Sequence, residues 1–357
     1  MNNNRGKNNI KPTIKIELVD LFCGIGGLTY GLRKAGINVI AGIDNDESCR
    51  YAYEMNNKSS FINVDITKCN SDKIKKLYSR NAIKVLVGCA PCQPFSSHTF
   101  KHKSKASDTR WDLLTYFGKI INEIRPEIVS MENVRGIVKA DVFKMFLGVL
   151  QKNNYHVDYK VVNLPNYGVP QNRSRLILLA SIHGKIKIPK STHTKDNYVT
   201  VRDTIKKLQP ITVGQTSKKD PVHKAKNLSK TNLQRIKQSK PNGTWHDWDR
   251  KLLPSCYKKE SGLTYTSVYG RMGWDGVSPT ITTQFLCYGS GRFGHPTQTR
   301  ALSLREGALL QTFPKNYDFG EVKSMTTIAR HIGNAVPPVL GEVVGKAIKE
   351  HLGEYYD

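Results

Sequence analysis

From Ile14 to about Ile182 the chain alternates short apolar runs with helix-length amphipathic stretches. Ile16-Glu-Leu-Val-Asp-Leu-Phe22 reads as a strand, followed by a Gly-rich turn and a helix from Leu28 to Lys34 closed by Gly36. Asn38-Val-Ile-Ala-Gly-Ile-Asp44 is a second strand, with a helix through Glu47 to Met55 after it. The run Ile83-Lys-Val-Leu-Val87, a helix around Leu113 to Ile124, a strand at Glu127 to Met131 and the run Leu176-Ile-Leu-Leu-Ala-Ser-Ile182 continue the alternation. Strands alternating with helices predict an α/β fold: a doubly wound, mostly parallel sheet covered on both faces. In such sheets the chemistry gathers at the carboxyl ends of the strands. The polar, Asn-rich residues 1–13 are expected to be a disordered tail.

The texture changes near Gly184. Residues 184–240 hold 15 Lys and Arg against 3 Asp and Glu, a balance of +12 with few apolar runs. Residues 241–295 add Trp245, Trp248 and Trp274 and many glycines, and helical pattern returns at Leu304 to Gln311 and Val336 to His351. The expected organisation is a tail (1–13), a first domain (14–183), a smaller second domain (184–295) and a return to the first (296–357). The basic span is open to two readings, a solvated insertion or a binding surface. The whole chain carries Lys+Arg 55 against Asp+Glu 29, a net charge of +26, which points to a polyanionic partner. No apolar stretch reaches membrane-spanning length, and Met1-Asn-Asn-Asn-Arg-Gly has no signal-peptide core. Nucleic acid, not a membrane, is therefore the expected polyanion, and a soluble intracellular protein the expected setting. The 7 Cys are irregularly spaced, which suits a reducing compartment and no disulfide framework.

Two groups of residues carry candidate chemistry. Asp20-Leu-Phe-Cys-Gly-Ile-Gly-Gly27 is a turn in which Gly24, Gly26 and Gly27 would admit a ligand close to the backbone. Asp44, twenty residues past Gly24, stands where a carboxylate reaches ribose hydroxyls in nucleotide-binding folds. The Gly-x-Gly-Gly spacing disfavours NAD. In the second group, Cys92 follows Pro91 after one strand, Glu132 ends another, and Arg173 and Arg175 precede the Leu176 run. Adjacent strand ends would place them on one rim. A carboxyl raises a thiol pKa, so Glu132 beside Cys92 makes sense if it is protonated or meets a basic ring nitrogen of a substrate. Cys89-Ala-Pro-Cys92 can also be a redox dithiol, and either Cys can be inert filler; no second Cys or His pair completes a zinc site.

The chain resembles the DNA (cytosine-5)-methyltransferases of the bacterial restriction–modification type. The resemblance rests on Asp20-Leu-Phe-Cys-Gly-Ile-Gly-Gly27, Val64-Asp-Ile66, Pro91-Cys-Gln-Pro-Phe-Ser96, Glu132-Asn-Val134, Gln171-Asn-Arg-Ser-Arg175, Arg305-Glu-Gly-Ala-Leu-Leu-Gln-Thr-Phe-Pro314 and Gly333-Asn-Ala-Val336, in the family's order. It implies a Rossmann-like methyltransferase sheet with a target-recognition domain at about 184–295. It implies S-adenosyl-L-methionine as cofactor and a cytosine flipped out of duplex DNA as substrate. Cys92 would add to C6, Glu132 would bond N3 and the exocyclic amine, and Arg175 would contact O2 with Arg173 in support. Phe22, Gly24, Gly26 and Gly27 would line the cofactor, with Asp44 on ribose, Asp65 on the adenine amine, and Ile66, Leu113 and Asn334 completing the pocket.

Two positions depart from the family pattern. Asn45 stands where an aromatic residue often stacks on adenine, and Trp111 follows Asp108-Thr-Arg110 where Gly is common. The basic stretch Ser96 to Lys105 is similar in position to the family's mobile catalytic loop. Asn242, Arg271 and Gln284 are weak candidates for base reading, and Cys89 is expected to be a small core residue whose replacement by Ala leaves activity near normal. The resemblance further implies a monomer in the cytoplasm, associated with the nucleoid, and a cognate restriction endonuclease acting on the same site. An RNA cytosine methyltransferase is the runner-up, disfavoured by the long basic insert. A non-catalytic DNA-binding regulator would have lost the nucleophile or the cofactor turn, and both are intact.

Overall fold

The computed structural model describes residues 15–91 and 112–356. Seven strands form one sheet: β1 (Ile16–Leu21), β2 (Asn38–Asp44), β3 (Ser60–Asn63), β4 (Ile83–Gly88), β5 (Ile128–Val134), β6 (His156–Asn163) and β7 (Ser174–Ser181). Their order is β3-β2-β1-β4-β5-β7-β6. The first five are parallel, and β7 runs antiparallel to both β5 and β6. The sheet is thus doubly wound and mixed. The reversal at β7 matters for function, because it brings the start of β7 to the same rim as the end of β5.

Side chains alternate faces with the strand period of two. On one face Val19, Leu86, Val129 and Leu178 pack against α3 (Ser71–Lys75), α4 (Asp112–Ile124) and α5 (Asp141–Lys152). On the other, Leu18, Val85, Val87 and Ile177 meet α1 (Gly27–Lys34) and the C-terminal helix. The inner strands are therefore rich in apolar residues, as strands covered on both sides are, with buried polar exceptions at Glu17 and Asp20 of β1 and Ser130, Glu132 and Asn133 of β5. The segment expected as one helix from Glu47 to Met55 is a 3₁₀ turn at Glu47–Cys49 followed by α2 (Arg50–Asn57).

Beyond β7 the chain has short helices and long connections: α6 (Val201–Ile205), α7 (Lys230–Gln238), α8 (Glu260–Leu263), then α9 (Leu304–Leu310), α10 (Met325–Asn334) and α11 (Pro338–Tyr356). Val201, Ile205, Val222 and Met272 pack with α9 and α10 and with Tyr53 of α2 in a shared core. A separate small core holds Ile236, Trp245, Trp248, Leu252, Tyr257, Val268, Tyr288 and Ala301. The tryptophans there are structural: Trp245 stacks on Tyr257 at 4.7 Å, and Trp248 Nε1 donates to Ser239 Oγ at 2.8 Å. No helix among the described residues is long and apolar enough to cross a membrane.

Candidate active site

Three strand ends build the site. Gly88 pairs with Met131 in parallel register, so Cys89, the next residue, lies beside Glu132. On the other side β5 and β7 pair Val134 with Arg175 and Glu132 with Ile177, which makes Glu132 and Arg175 diagonal neighbours on one face. Arg175 Nε stands 2.9 Å from Glu132 Oε1, and Cys89 Sγ donates to Glu132 Oε2 at 2.7 Å. The Arg175 contact is an ion pair without hydrogen-bond alignment, so Oε1 accepts no well-directed hydrogen bond among the described residues. Arg173 is buried, gives Nη1 to the carbonyl of Ile281 at 3.2 Å, and has no partner for Nε among the described residues. Burial, then the neighbouring Arg175 charge, brings Arg173 down to about 9 against the pull of Glu132, so it stays a cation at neutral pH. A carboxylate and two guanidiniums, with buried polar capacity unmet, thus converge beside the chain segment that leads to Cys92. Asn133 Nδ2 donates to the Ala90 carbonyl at 3.1 Å and pins that segment two residues before the thiol. Cys92, the Ser96 to Lys105 stretch, Asp108 to Arg110 and Trp111 lie outside the described residues, as does the 1–13 tail.

The second group lies at the ends of β1 to β3. Asp44 is fixed by two backbone donors, Gly24 N to Oδ2 at 2.8 Å and Asp46 N to Oδ1 at 2.9 Å. Val64 N bonds the Asp44 carbonyl at 3.0 Å, which brings Asp65 alongside. The Thr67 N–H, then its hydroxyl, bond Asp65 Oδ1 and hold that carboxyl below its usual value. Phe22 adopts φ 60, a left-handed backbone that a bulky residue rarely takes. The three glycines differ. A Cβ at Gly24 would meet nothing within 4 Å, so open space faces it; at Gly26 it would strike Asn57 and Tyr53, and at Gly27 the Val336 carbonyl. Of the three, Gly24 faces open space, while Gly27 packs against the Gly333-Asn-Ala-Val336 segment, in which Asn334 is exposed. Ile66 is buried, Leu113 packs against the core partly exposed, and Asn45 is exposed. Beneath them Asp20 is buried, accepts from Thr29 Oγ1 at 2.7 Å, and is pushed by burial up to about 7.

Motif reading missed the clasp that holds the Asp44 loop. Asp46 Oδ2 takes Arg330 Nη1 at 2.8 Å and lies 3.4 Å from His331 Nε2, both on α10. Although burial opposes it, bonds from Ser48 and Arg330 hold Asp46 down to about 2. Asp46, Cys49 and His331 gather donor atoms within 4.8 Å, but the Arg330 guanidinium already supplies the positive charge there. Its partners lie 284 residues apart, so no local spacing signals it.

Of the weak base-reading candidates, Arg271 is structural: it is buried and donates to the carbonyls of Ser239, His295, Gln298 and Ile236. Asn242 sits at φ 60 against Gly273, and Gln284 is exposed. Of the 13 lysines in 184–240, 12 are exposed and none pairs with a carboxylate among the described residues, so their charge is free for an outside anion.

The model of the C-5 cytosine-specific DNA methylases matches residues 16–350, and the chain belongs to that family of enzymes. It is 52% identical over 341 residues to the type II methylase M.HgiDII of Herpetosiphon aurantiacus, covering 94% of this chain and 95% of that protein. Over 352 residues it is 31% identical to the type II methyltransferase M1.BsuMI of Bacillus subtilis, covering 92% of this chain and 79% of that one. The fold is shared with a DNMT2 variant from Spodoptera frugiperda, with a TM-score of 0.65 at 18% identity over 95% or so of each chain, 94% of this one and 99% of the other.

Proposed function

We propose that the chain is a sequence-specific modification methylase that methylates C5 of a cytosine flipped out of duplex DNA, through a covalent bond between Cys92 and C6. The observation that carries this is the convergence at the rim: Glu132 with an unsatisfied Oε1, held by Arg175 and Cys89, beside an Arg173 with an unpartnered Nε. Buried polar groups left unpaired are costly, so this arrangement suits a polar ring that pairs them. Cytosine offers that complement: N3 and its exocyclic amine for Glu132, and O2 for Arg175 with Arg173 behind it. C5 is a poor nucleophile in the free base; addition of the Cys92 thiolate to C6 puts enamine character on C5. Once C5 has accepted the methyl group, loss of the C5 proton and expulsion of Cys92 restore the aromatic ring. Because the reacting edge lies inside the duplex, the base has to leave the stack.

The open space at Gly24, with Asp44 and Asp65 at adjacent strand ends, suits a nucleoside-bearing cofactor. S-adenosyl-L-methionine supplies an activated methyl group when bound there. Phe22 and Gly24 would line it, Asp44 would take the ribose hydroxyls and Asp65 the adenine amine, with Ile66, Leu113 and Asn334 around them; Asn45 offers no stacking ring. Residues 184–295 would serve as the recognition domain, their exposed lysines giving salt-dependent phosphate affinity rather than base selection, and 296–357 would rejoin the catalytic domain. Relatives named as type II methylases support a place in a restriction–modification system; the reading further takes the chain as a monomer acting in the cytoplasm alongside an endonuclease of the same site.

The test is transfer of labelled methyl from S-adenosyl-L-methionine to duplex DNA and to tRNA, followed by bisulfite sequencing of the DNA. Label confined to cytosine C5 in one DNA sequence context is expected. Label in tRNA alone overturns the reading in favour of an RNA enzyme. The clasp adds a smaller prediction. Arg330→Ala is expected to raise KM for S-adenosyl-L-methionine about 2- to 5-fold, the scale of a half-exposed ion pair, with kcat little changed. An unchanged KM in steady-state kinetics would detach the clasp from cofactor binding.

A further inference from the structure

Cys89 was expected to be a small core residue and packs against the core; in addition its Sγ lies 2.7 Å from Glu132 Oε2, and it is the hydrogen-bond donor to that carboxylate among the described residues. The position follows from the sheet. Cys89 continues β4 beyond Gly88, and parallel pairing of Gly88 with Met131 sets residue 89 beside residue 132. Burial, then the Glu132 charge, pushes the Cys89 thiol well above its ordinary value. It therefore keeps its proton and donates, which a thiolate could not do. Arg175 approaches the other oxygen, Oε1, off the hydrogen-bond axis, and Oε1 is left with unmet acceptor capacity.

We propose that Cys89 is a positioning residue for Glu132: its S–H fixes Oε2 and the carboxylate plane, so that Oε1 is the oxygen left to meet the base. The role rests on the reading of Glu132 as the group that bonds cytosine. It also distinguishes the two thiols of Cys89-Ala-Pro-Cys92 without any redox step: Cys92 attacks and Cys89 orients. The charged and titratable groups that face Glu132 among the described residues are Arg173 just before β7, Arg175 in β7, and Cys89 just after β4.

A volume role and a donor role separate in three variants. Cys89→Ser keeps a donor, Cys89→Val keeps bulk without one, and Cys89→Ala has neither. With a donor role, Val and Ala lower kcat about 10- to 100-fold, the scale of one hydrogen bond to a charged group. KM for both substrates stays within about 2-fold, the scale of interactions the variants leave untouched. Cys89→Ser retains most of the activity. Full activity in Cys89→Ala, or a Ser variant as impaired as Ala, overturns the role. Should Cys89→Ala fold poorly by circular dichroism, the Ser and Val pair makes the same comparison. The S–H stretching band, read as the infrared difference between wild type and Cys89→Ser, is expected to shift when Glu132→Gln is introduced; an unmoved band denies the contact. That band needs no turnover. If the wild-type protein methylates no DNA cytosine, the reading of Glu132 falls while the contact is still judged.

Discussion

Cys92→Ser is expected to abolish methyl transfer to duplex DNA, by at least about 10³-fold, while circular dichroism and binding of S-adenosyl-L-methionine stay as in the wild type. A serine hydroxyl is almost wholly protonated at neutral pH and needs a base beside it to attack carbon. The rim offers none among the described residues. Glu132 is engaged by Arg175 at 2.9 Å and by Cys89 at 2.7 Å, and Arg173 stays a cation at neutral pH. A thiol needs less help, because it is far more acidic than a hydroxyl and its thiolate is a strong nucleophile. Glu132→Gln keeps a group of the same shape beside Arg175 but cannot give a proton to N3, so a fall of about 10²–10⁴-fold is expected there. The two losses should differ in kind. Cys92→Ser should form no covalent complex with DNA carrying 5-fluorocytosine, whereas Glu132→Gln should form it slowly. Undiminished incorporation of labelled methyl by Cys92→Ser would sink the covalent mechanism.

Much of this rim was legible in the sequence because it is built from strand ends, and buried strands announce themselves as apolar runs. Ile16 to Phe22, Asn38 to Asp44 and the Leu176 run all coincide with strands to within a residue or two. The strands that were missed fail that test for physical reasons. β3 is only 4 residues long, and β6 is an edge strand with a mostly exposed, non-alternating pattern. The antiparallel sense of β7 was not foreseen either, since an apolar run carries no direction. The helix α5 was readable in principle: Val142, Phe143, Phe146 and Leu150 share one face. At the site, glycine spacing found the turn but not that Gly26 and Gly27 back onto Asn57 and Val336. Cys89 packs against the core as expected, but the Cys-x-x-Cys spacing gave no sign of its contact with Glu132, which only sheet register brings near.

Arg300→Met is expected to destabilise the fold by about 3–5 kcal/mol at pH 7, because it strands a buried carboxylate. Arg300 is fully buried and grips Glu306 with both nitrogens, at 2.7 and 2.6 Å, while its Nε bonds the Ile211 carbonyl at 3.0 Å. Glu306 also caps α9, accepting from Ser303 N at 2.7 Å. One ion pair thus ties the start of α9 to residues from the basic span. Against its burial, Arg300 holds the Glu306 carboxyl down to about 2 from an ordinary 4.5. A carboxyl lowered on folding stabilises above 4.5, and that contribution drains away as pH falls towards 2. His295, 3.6 Å from Glu306, is lowered by burial to about 4 from 6.5, so it too withdraws stability as pH falls from 6.5 to 4. Wild type should therefore lose thermal stability steadily on acidification. In Arg300→Met the stranded carboxylate can take up a proton instead, so the gap between variant and wild type should narrow from pH 7 to pH 4. Adding Glu306→Gln should recover part of the loss at pH 7 and leave the double variant less sensitive to acid over the Glu306 range. A melting temperature within a degree of wild type at pH 7, or a gap that does not change with pH, would mean that the pair contributes no more than an exposed one.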